Sequence, residues 1–340
     1  MVSERSLEVL RVIVQDYVSS REPVGSKSIV ERHSFGVSAA TIRNDMAQLE
    51  EEELITAPHT SSGRIPTDKG YRLFVDQLSD LRPLSGAQRH AIETFLGQSA
   101  DLDEVLARTV RLLSQLTHQV ALVQYPSLSR ATVKHVELVR LSDNRLLSVL
   151  ITDTGRVEQR VVDTVGGVSD EHVAGLRVSV NETLAGLGMT DAATAAAGLA
   201  AVAPPQLAGL AAVVADTLVE QVLANRADKL VMAGAANLVR TEEDFTGSIF
   251  PVLEAIEEQV VLLRLLGEMA VDQHGVSASI GRENASFGLG ETSVLSSSYH
   301  SAGSELARVG VLGPLRMDYS NNMAAVRAVA RYLSRLLGEN

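Results

Sequence analysis

The sequence predicts an α+β protein built in successive parts, and three observations predict it. The first 80 residues hold three short amphipathic helix patterns and one polar, glycine-containing loop between two short extended pieces. Residues 121–163 are β-branched runs broken by turn residues, 169–270 are mainly of helical period, and strand patterns resume at Val276. At 340 residues, 45% hydrophobic and 21% charged, the chain is long enough for two or three cores and too apolar for a disordered one.

The first helix is expected to start near Ser3, because Leu7, Leu10, Ile13, Val14, Tyr17 and Val18 recur at helical spacing. Pro23-Val24-Gly25-Ser26 breaks it and recaps the chain for a second helix, Ser26 to Arg32. A turn through Gly36 leads to Ser38, an N-cap, and to a third helix through about Glu50. Ala39, Ile42, Met46 and Leu49 fall on its apolar face, while Ala40, Thr41, Asn44 and Gln48 fall on the other. That second face is small and amide-rich, a composition suited to a DNA major groove, where Asn and Gln pair with adenine and Thr meets a base methyl. Pro58 to Thr67 then reads as a loop that carries Arg64 towards phosphate or a minor groove. Together these elements fit a winged helix-turn-helix, with Ser38, Ala40, Thr41, Arg43, Asn44, Gln48 and Arg64 as candidate DNA-binding residues and Lys27, Lys69 and Arg72 as candidate phosphate contacts.

Thr67 should cap a helix to about Leu78, Asp80 to Gly86 is the first linker, and helices follow to about Leu96 and from Leu102 to about His118. The strand-like runs 121–125, 132–141, 145–152 and 156–163 read as one antiparallel meander. Helices are expected over Asp170–Leu187, Pro205–Ala224 and Phe250–Met269, with a short strand at Lys229–Ala233. Strands at Val276–Ile280, Ser293–Tyr299 and Leu306–Leu312 precede a last helix, Ser320 to Leu337, so a sheet domain with an insertion is expected.

Composition narrows the chemistry. With no cysteine there is neither a disulfide nor a thiolate metal site, which suits a cytoplasmic protein, and the eight histidines are scattered without ligand spacing, so neither metal nor cofactor is expected. The N-terminus does not read as a secretory signal, and the apolar stretch from Ala195 to Ala215 is interrupted by Pro204-Pro205, so no membrane span is expected. Net charge is −12, and the first 80 residues carry nine Lys and Arg against thirteen Asp and Glu. Random DNA is therefore disfavoured, and any affinity has to be local and specific. Glu283, Asn284, Arg316, Asp318 and Tyr319 could meet in a polar pocket, but a structural network is the plainer expectation and no catalytic constellation stands out.

The runs Ser38 to Met46, Pro58 to Arg72, Ile280 to Asn284 and Gly310 to Tyr319 resemble the heat-inducible transcription repressor HrcA family. The likeness spans the chain and is weakest between about Ala87 and Val271. Two departures stand out: Glu53 replaces the family's usual helix-ending glycine, which would fray the third helix, and Leu315 replaces a threonine. The resemblance implies a DNA-binding module at 1–80, a linker helix at 81–100, a GAF-like domain split between 101–164 and 273–340, and an inserted, mainly helical dimerising domain at 165–272. It further implies a homodimer on double-stranded DNA at an inverted-repeat operator of CIRCE type, repression of chaperone genes, and dependence on the chaperonin GroEL. A regulator gated by a metabolite in the GAF-like domain is the alternative.

Overall fold

The computed structural model describes residues 2–59, 62–78, 84–96, 102–126, 131–153, 155, 157–164, 166–224, 229–245, 247–270, 275–301 and 304–338. Residues 80–83 of the linker expected at Asp80 to Gly86, and the loop residues Thr60 and Ser61, lie outside that set. The fold is α+β, with two separate antiparallel sheets besides a short N-terminal ribbon.

Helices α1 (Glu4–Ser20), α2 (Ser26–Arg32) and α3 (Ala39–Glu51) pack around Leu10, Ile13, Ile29, Ile42 and Leu49, all essentially buried. Serine caps the first and third of these, with Ser3 Oγ accepting the Ser6 N–H at 3.1 Å and Ser38 Oγ accepting the Thr41 N–H at 3.3 Å. Strands β1 (Ile55–Thr56) and β2 (Ile65–Pro66) pair into a ribbon. Val24 flanks it, exchanging two backbone hydrogen bonds of 2.9 Å with Arg64. Gly63 makes that approach possible, since a Cβ there would lie 2.6 Å from the Pro23 and Val24 backbone. Helix α4 (Asp68–Asp76) follows, capped by Thr67 as expected.

The third helix does not fray at Glu53. The Glu53 N–H donates to Glu50 O at 3.0 Å and the Leu54 N–H to Leu49 O at 2.9 Å, so α3 ends in a Schellman motif with Leu49 and Leu54 both buried. Glu53 takes the left-handed backbone, φ +60, that the motif demands.

Helices α5 (Gly86–Leu96) and α6 (Leu102–Thr117) lead into β3 (Val120–Gln124), and here the structure departs from the single expected meander. Strands β4 (Val133–Ser142), β5 (Arg145–Thr152) and β6 (Val157–Asp163) form a three-stranded sheet of their own. They share a separate core with α7 (Asp170–Leu184), α8 (Met189–Ala197), α9 (Leu199–Val202) and α10 (Ala208–Ala224). That core runs from Ala131 to Val222, so the boundary expected at 164/165 falls between β6 and α7, which are buried together.

The chain then returns to β3. Strand β7 (Leu230–Ala233) pairs with it, followed by α11 (Ala235–Arg240), α12 (Phe250–Glu258), α13 (Val260–Glu268), β8 (Ser277–Ile280), β9 (Thr292–Ser301), β10 (Ser304–Pro314) and α14 (Tyr319–Gly338). The five strands lie in the order β7-β3-β10-β9-β8, all neighbours antiparallel. Both faces of this sheet are covered: Ala121, Val123, Leu295, Val309 and Val311 meet α6 and α14, while Val120, Leu122, Val294 and Leu312 meet α11 to α13. Segment 229–269 therefore belongs with this sheet rather than with the insertion, and the expected single helix Phe250–Met269 is two, broken at Gln259 with φ +51. Among the described residues no helix is long and apolar enough to cross a membrane, and no group of three or more His, Asp or Glu side chains is placed to hold a metal.

Candidate DNA-binding surface

Helix α3 presents Ala40, Arg43, Asn44 and Ala47 to solvent, a stripe at i, i+3, i+4 and i+7. Ser38 is also exposed, at the N-terminal end, and its hydroxyl lies 3.1 Å from that of the half-buried Thr41. Among the described residues the side chains of Arg43, Asn44 and Lys27 have no hydrogen bond or ion pair, and Lys27 is exposed in the first turn of α2. The positive end of the α3 dipole and its unpaired N–H groups thus lie beside small or polar side chains, a combination that accepts a phosphate.

The opposite face of α3 is pinned to α1. Asp45, 5% exposed, accepts two hydrogen bonds from Arg5, at 2.8 and 3.1 Å, and one from Ser6 Oγ at 3.2 Å. The hydrogen bond and then the charge of Asp45 hold the Arg5 guanidinium above its ordinary pKa. Gln48 belongs partly to this contact: it is half-buried and its Oε1 lies 3.2 Å from Ser6 Oγ, where it shares the one hydroxyl proton with Asp45. Spacing carried a signal for this pin, because Asp45 lies three residues after Ile42 and four before Leu49, on the apolar face, where a carboxylate needs a buried donor.

Arg64 does not project from the ribbon tip. Its Nε and Nη2 donate to Glu50 Oε2 at 3.0 and 2.9 Å, which folds it back onto α3. Lys69 and Arg72 lie elsewhere. Lys69 Nζ donates to the carbonyl of Glu52, just past the C-terminal end of α3, some 20 Å along the helix from Ser38 at 1.5 Å per residue. Arg72 donates to the carbonyl of Ala278 at 2.9 Å and pairs with Glu283 at 3.3 Å. The ten candidates thus separate into Lys27, Ser38, Ala40, Arg43 and Asn44, exposed on or beside α2 and α3, the half-buried Thr41 and Gln48, Arg64 paired with Glu50, Lys69 bonded to the end of α3, and Arg72 turned to the five-stranded domain.

The C-terminal polar residues form no common pocket. Asn284 is fully buried and its amide donates to the carbonyls of Ser279 and Thr292, Tyr319 shares a 2.7 Å hydrogen bond with Ser293, and Arg316 pairs with Asp244. They are structural braces.

Residues 103–323 match the family described as HrcA protein C terminal domain. Over 339 residues, 100% of both chains, the protein is 74% identical to the heat-inducible transcription repressor HrcA of Clavibacter michiganensis subsp. michiganensis and 69% identical to that of Leifsonia xyli subsp. xyli. A crystal structure described only as that of a hypothetical protein superposes with a TM-score of 0.70 at 26% identity, covering 100% of this chain and 99% of the other.

Proposed function

Because the chain belongs to the heat-inducible transcription repressor HrcA family, we propose that α1 to α4 and the β1–β2 ribbon are a winged helix-turn-helix that reads an inverted-repeat operator through α3. The observation that carries this is the exposed stripe of Ala40, Arg43, Asn44 and Ala47 beside the Ser38 cap, whose polar members have no partner within the described protein. Asn44 offers the bidentate donor and acceptor for adenine, the alanines allow the helix to sit deep in the groove, and Arg43 and Lys27 supply the phosphate charge. The ordinary reading of such a stripe, a solvated helix face, does not account for the absence of the intrahelical ion pairs that usually decorate one.

A homodimer supplies the two-fold axis that an inverted repeat of CIRCE type requires. Support for placing the interface on the insertion comes from the outer face of its sheet, where Val139, Leu141, Val157 and Val161 are each more than two-fifths exposed. Val139 stands opposite Leu147, and Leu147 opposite Val161, so these side chains form an apolar row across all three strands. In this proposal the biological role is repression of chaperone genes, maintained by GroEL, and the five-stranded domain takes the GAF-like part.

Gel-shift titration of a CIRCE-type duplex tests this, with and without added chaperonin, against a scrambled duplex of equal length. Preference for the repeat, lost in Asn44→Ala, is the expected result. Equal affinity for both duplexes would end the reading of α3 as a base-contacting helix.

A further inference from the structure

The DNA-binding unit is mounted on the five-stranded domain at a few defined points. At one end of α1, Arg316 donates to the Val18 carbonyl at 2.6 Å and grips Asp244 through two bonds of 2.6 and 2.8 Å. Arg316 and Asp244 are 11% and 5% exposed, and Arg21, past the end of α1, adds a third contact to Asp244 at 3.3 Å. At α4, Asp68 accepts the Arg282 N–H at 3.0 Å, while Arg72 reaches Ala278 and Glu283. Between these points Tyr319 packs against Tyr71 and Phe74, with ring centroids 5.6 and 6.4 Å apart. Clefts of about 460 and 710 Å³ flank the mount, one lined by α1, α4 and the start of α14, the other by the ribbon, α4 and the 280–283 loop.

Two features make this seating specific. Gly281 has φ +57, and a Cβ on it would lie 2.3 Å from Asp68 Oδ2, so only glycine lets the loop close on α4. The same α1 that Arg316 grips near Val18 holds α3 near its other end, through Arg5 and Asp45. Thirteen residues of helix separate the two grips, about 20 Å. A tilt of roughly 10° at the mount would carry the reading helix about 3.5 Å, close to the rise of one base pair.

We propose that Arg316, Asp244 and Gly281 are positioning residues that set which half-site spacing the protein accepts, although none of them lies on the DNA-reading face. This rests on the DNA-binding reading above. It also gives a role to two sequence stretches that form no active site, the Ile280 to Asn284 loop and the Gly310 to Tyr319 segment, each of which touches the DNA-binding unit, through Asp68 and through Val18 and Tyr71.

The experiment uses the full chain and a series of inverted-repeat duplexes whose spacer is lengthened or shortened one base pair at a time, with a single half-site duplex as reference. Three variants are compared: Arg316→Lys, which keeps the charge but loses the fork; Arg316→Gln with Asp244→Asn, which removes both buried charges together; and Gly281→Ala, which wedges the α4 contact. Unfolding curves confirm that each is folded. The wild type should show a sharp spacing optimum, and the variants should bind the half-site within about twofold of it while their preference for the optimal spacer falls by about tenfold or moves by a base pair. Folded variants that all keep the wild-type profile overturn the inference alone. A wild type that fails even on the half-site overturns the DNA-binding reading and the inference with it.

Discussion

Replacing Glu53 by glycine should stabilise the end of α3 by about 1 kcal/mol, and the reason can be separated into its parts. Glu53 sits at φ +60 in a Schellman motif whose two backbone hydrogen bonds, from Glu53 and Leu54, involve no side chain. Its Cβ crowds the following carbonyl, a strain of about 1.5 kcal/mol for an L-residue. Glycine removes that strain and gives back about 0.7 kcal/mol through the greater freedom of the unfolded chain. It also removes one of four consecutive carboxylates, Glu50 to Glu53, from the negative end of the helix dipole, worth about 0.3 kcal/mol. Among the described residues the Glu53 side chain makes no hydrogen bond or ion pair that would be lost. Amide hydrogen exchange of the Glu53 and Leu54 N–H groups reads the local opening free energy directly. Glu53→Ala is the decisive control, because it removes the charge and keeps the Cβ. Alanine should recover only the 0.3 kcal/mol or so of the charge contribution. If alanine and glycine protect these amides equally, backbone strain is not what Glu53 costs.

Asn44→Ala should lower specific operator affinity by about 1 to 3 kcal/mol and relax preference at one or two base pairs, measured by competition against a scrambled duplex. Gln48→Ala should instead show itself largely as lost stability, since Gln48 is tied to Ser6 in the α1–α3 contact. Arg43→Ala should weaken specific and random DNA alike and make the salt slope shallower by about one unit. In the second core, the Arg177 hydrogen bond of 2.6 Å, and after it the His135 contact, holds Glu137 below the usual carboxylate range. A depressed carboxylate contributes stability above its unfolded value of about 4.3, and that contribution is lost as pH falls through the lower folded value. Acid unfolding followed for the wild type and Glu137→Gln should therefore diverge above pH 4 and converge below the folded value.

Local chemistry made the N-terminal unit legible. Ser38 and Thr67 each cap the helix expected of them, the first helix starts at Ser3 as expected, and the apolar spacing of Leu10, Ile13, Ile42 and Leu49 predicts the residues that are buried. Strand partnership was not legible, because period reports which face a strand buries and not whom it pairs with. A clue was present all the same. Val120 to Val123 is a continuous apolar run, buried on both faces as a central strand must be, whereas β4 and β5 bury mainly alternate residues and cover one face. The break at Gln259 carried no glycine or proline to announce it. In the candidate site, Ala40 and Asn44 of the expected polar face of α3 are exposed while Thr41 and Gln48 are half-buried and Arg43 and Ala47 complete the stripe, and the intramolecular partners of Arg64, Lys69 and Arg72 depend on residues as far away as Glu283 and had no local signature.

The redrawn insertion permits a sharper test of assembly than the sequence allowed. Gln124 of β3 stands opposite Leu230 of β7, and the Tyr125 N–H donates to the Lys229 carbonyl at 2.9 Å, so the chain leaves and re-enters the five-stranded sheet at adjacent points. Residues 126–228 can therefore be replaced by Asn-Gly, the two-residue link suited to a tight antiparallel hairpin, without stretching either strand. The excised core, from Ala131 to Val222, is distinct from the two that cover the five-stranded sheet, so the remainder should stay folded. If the Val139, Leu147 and Val161 face holds the dimer, the shortened protein should sediment as a monomer. Its half-site affinity should be unchanged, while affinity for the full repeat falls by about a hundredfold as the effective concentration supplied by the partner is lost. A shortened protein that still sediments as a dimer and still prefers the full repeat would place the two-fold axis on the five-stranded domain or on the DNA-binding units, and the apolar face of the insertion would then need another occupant.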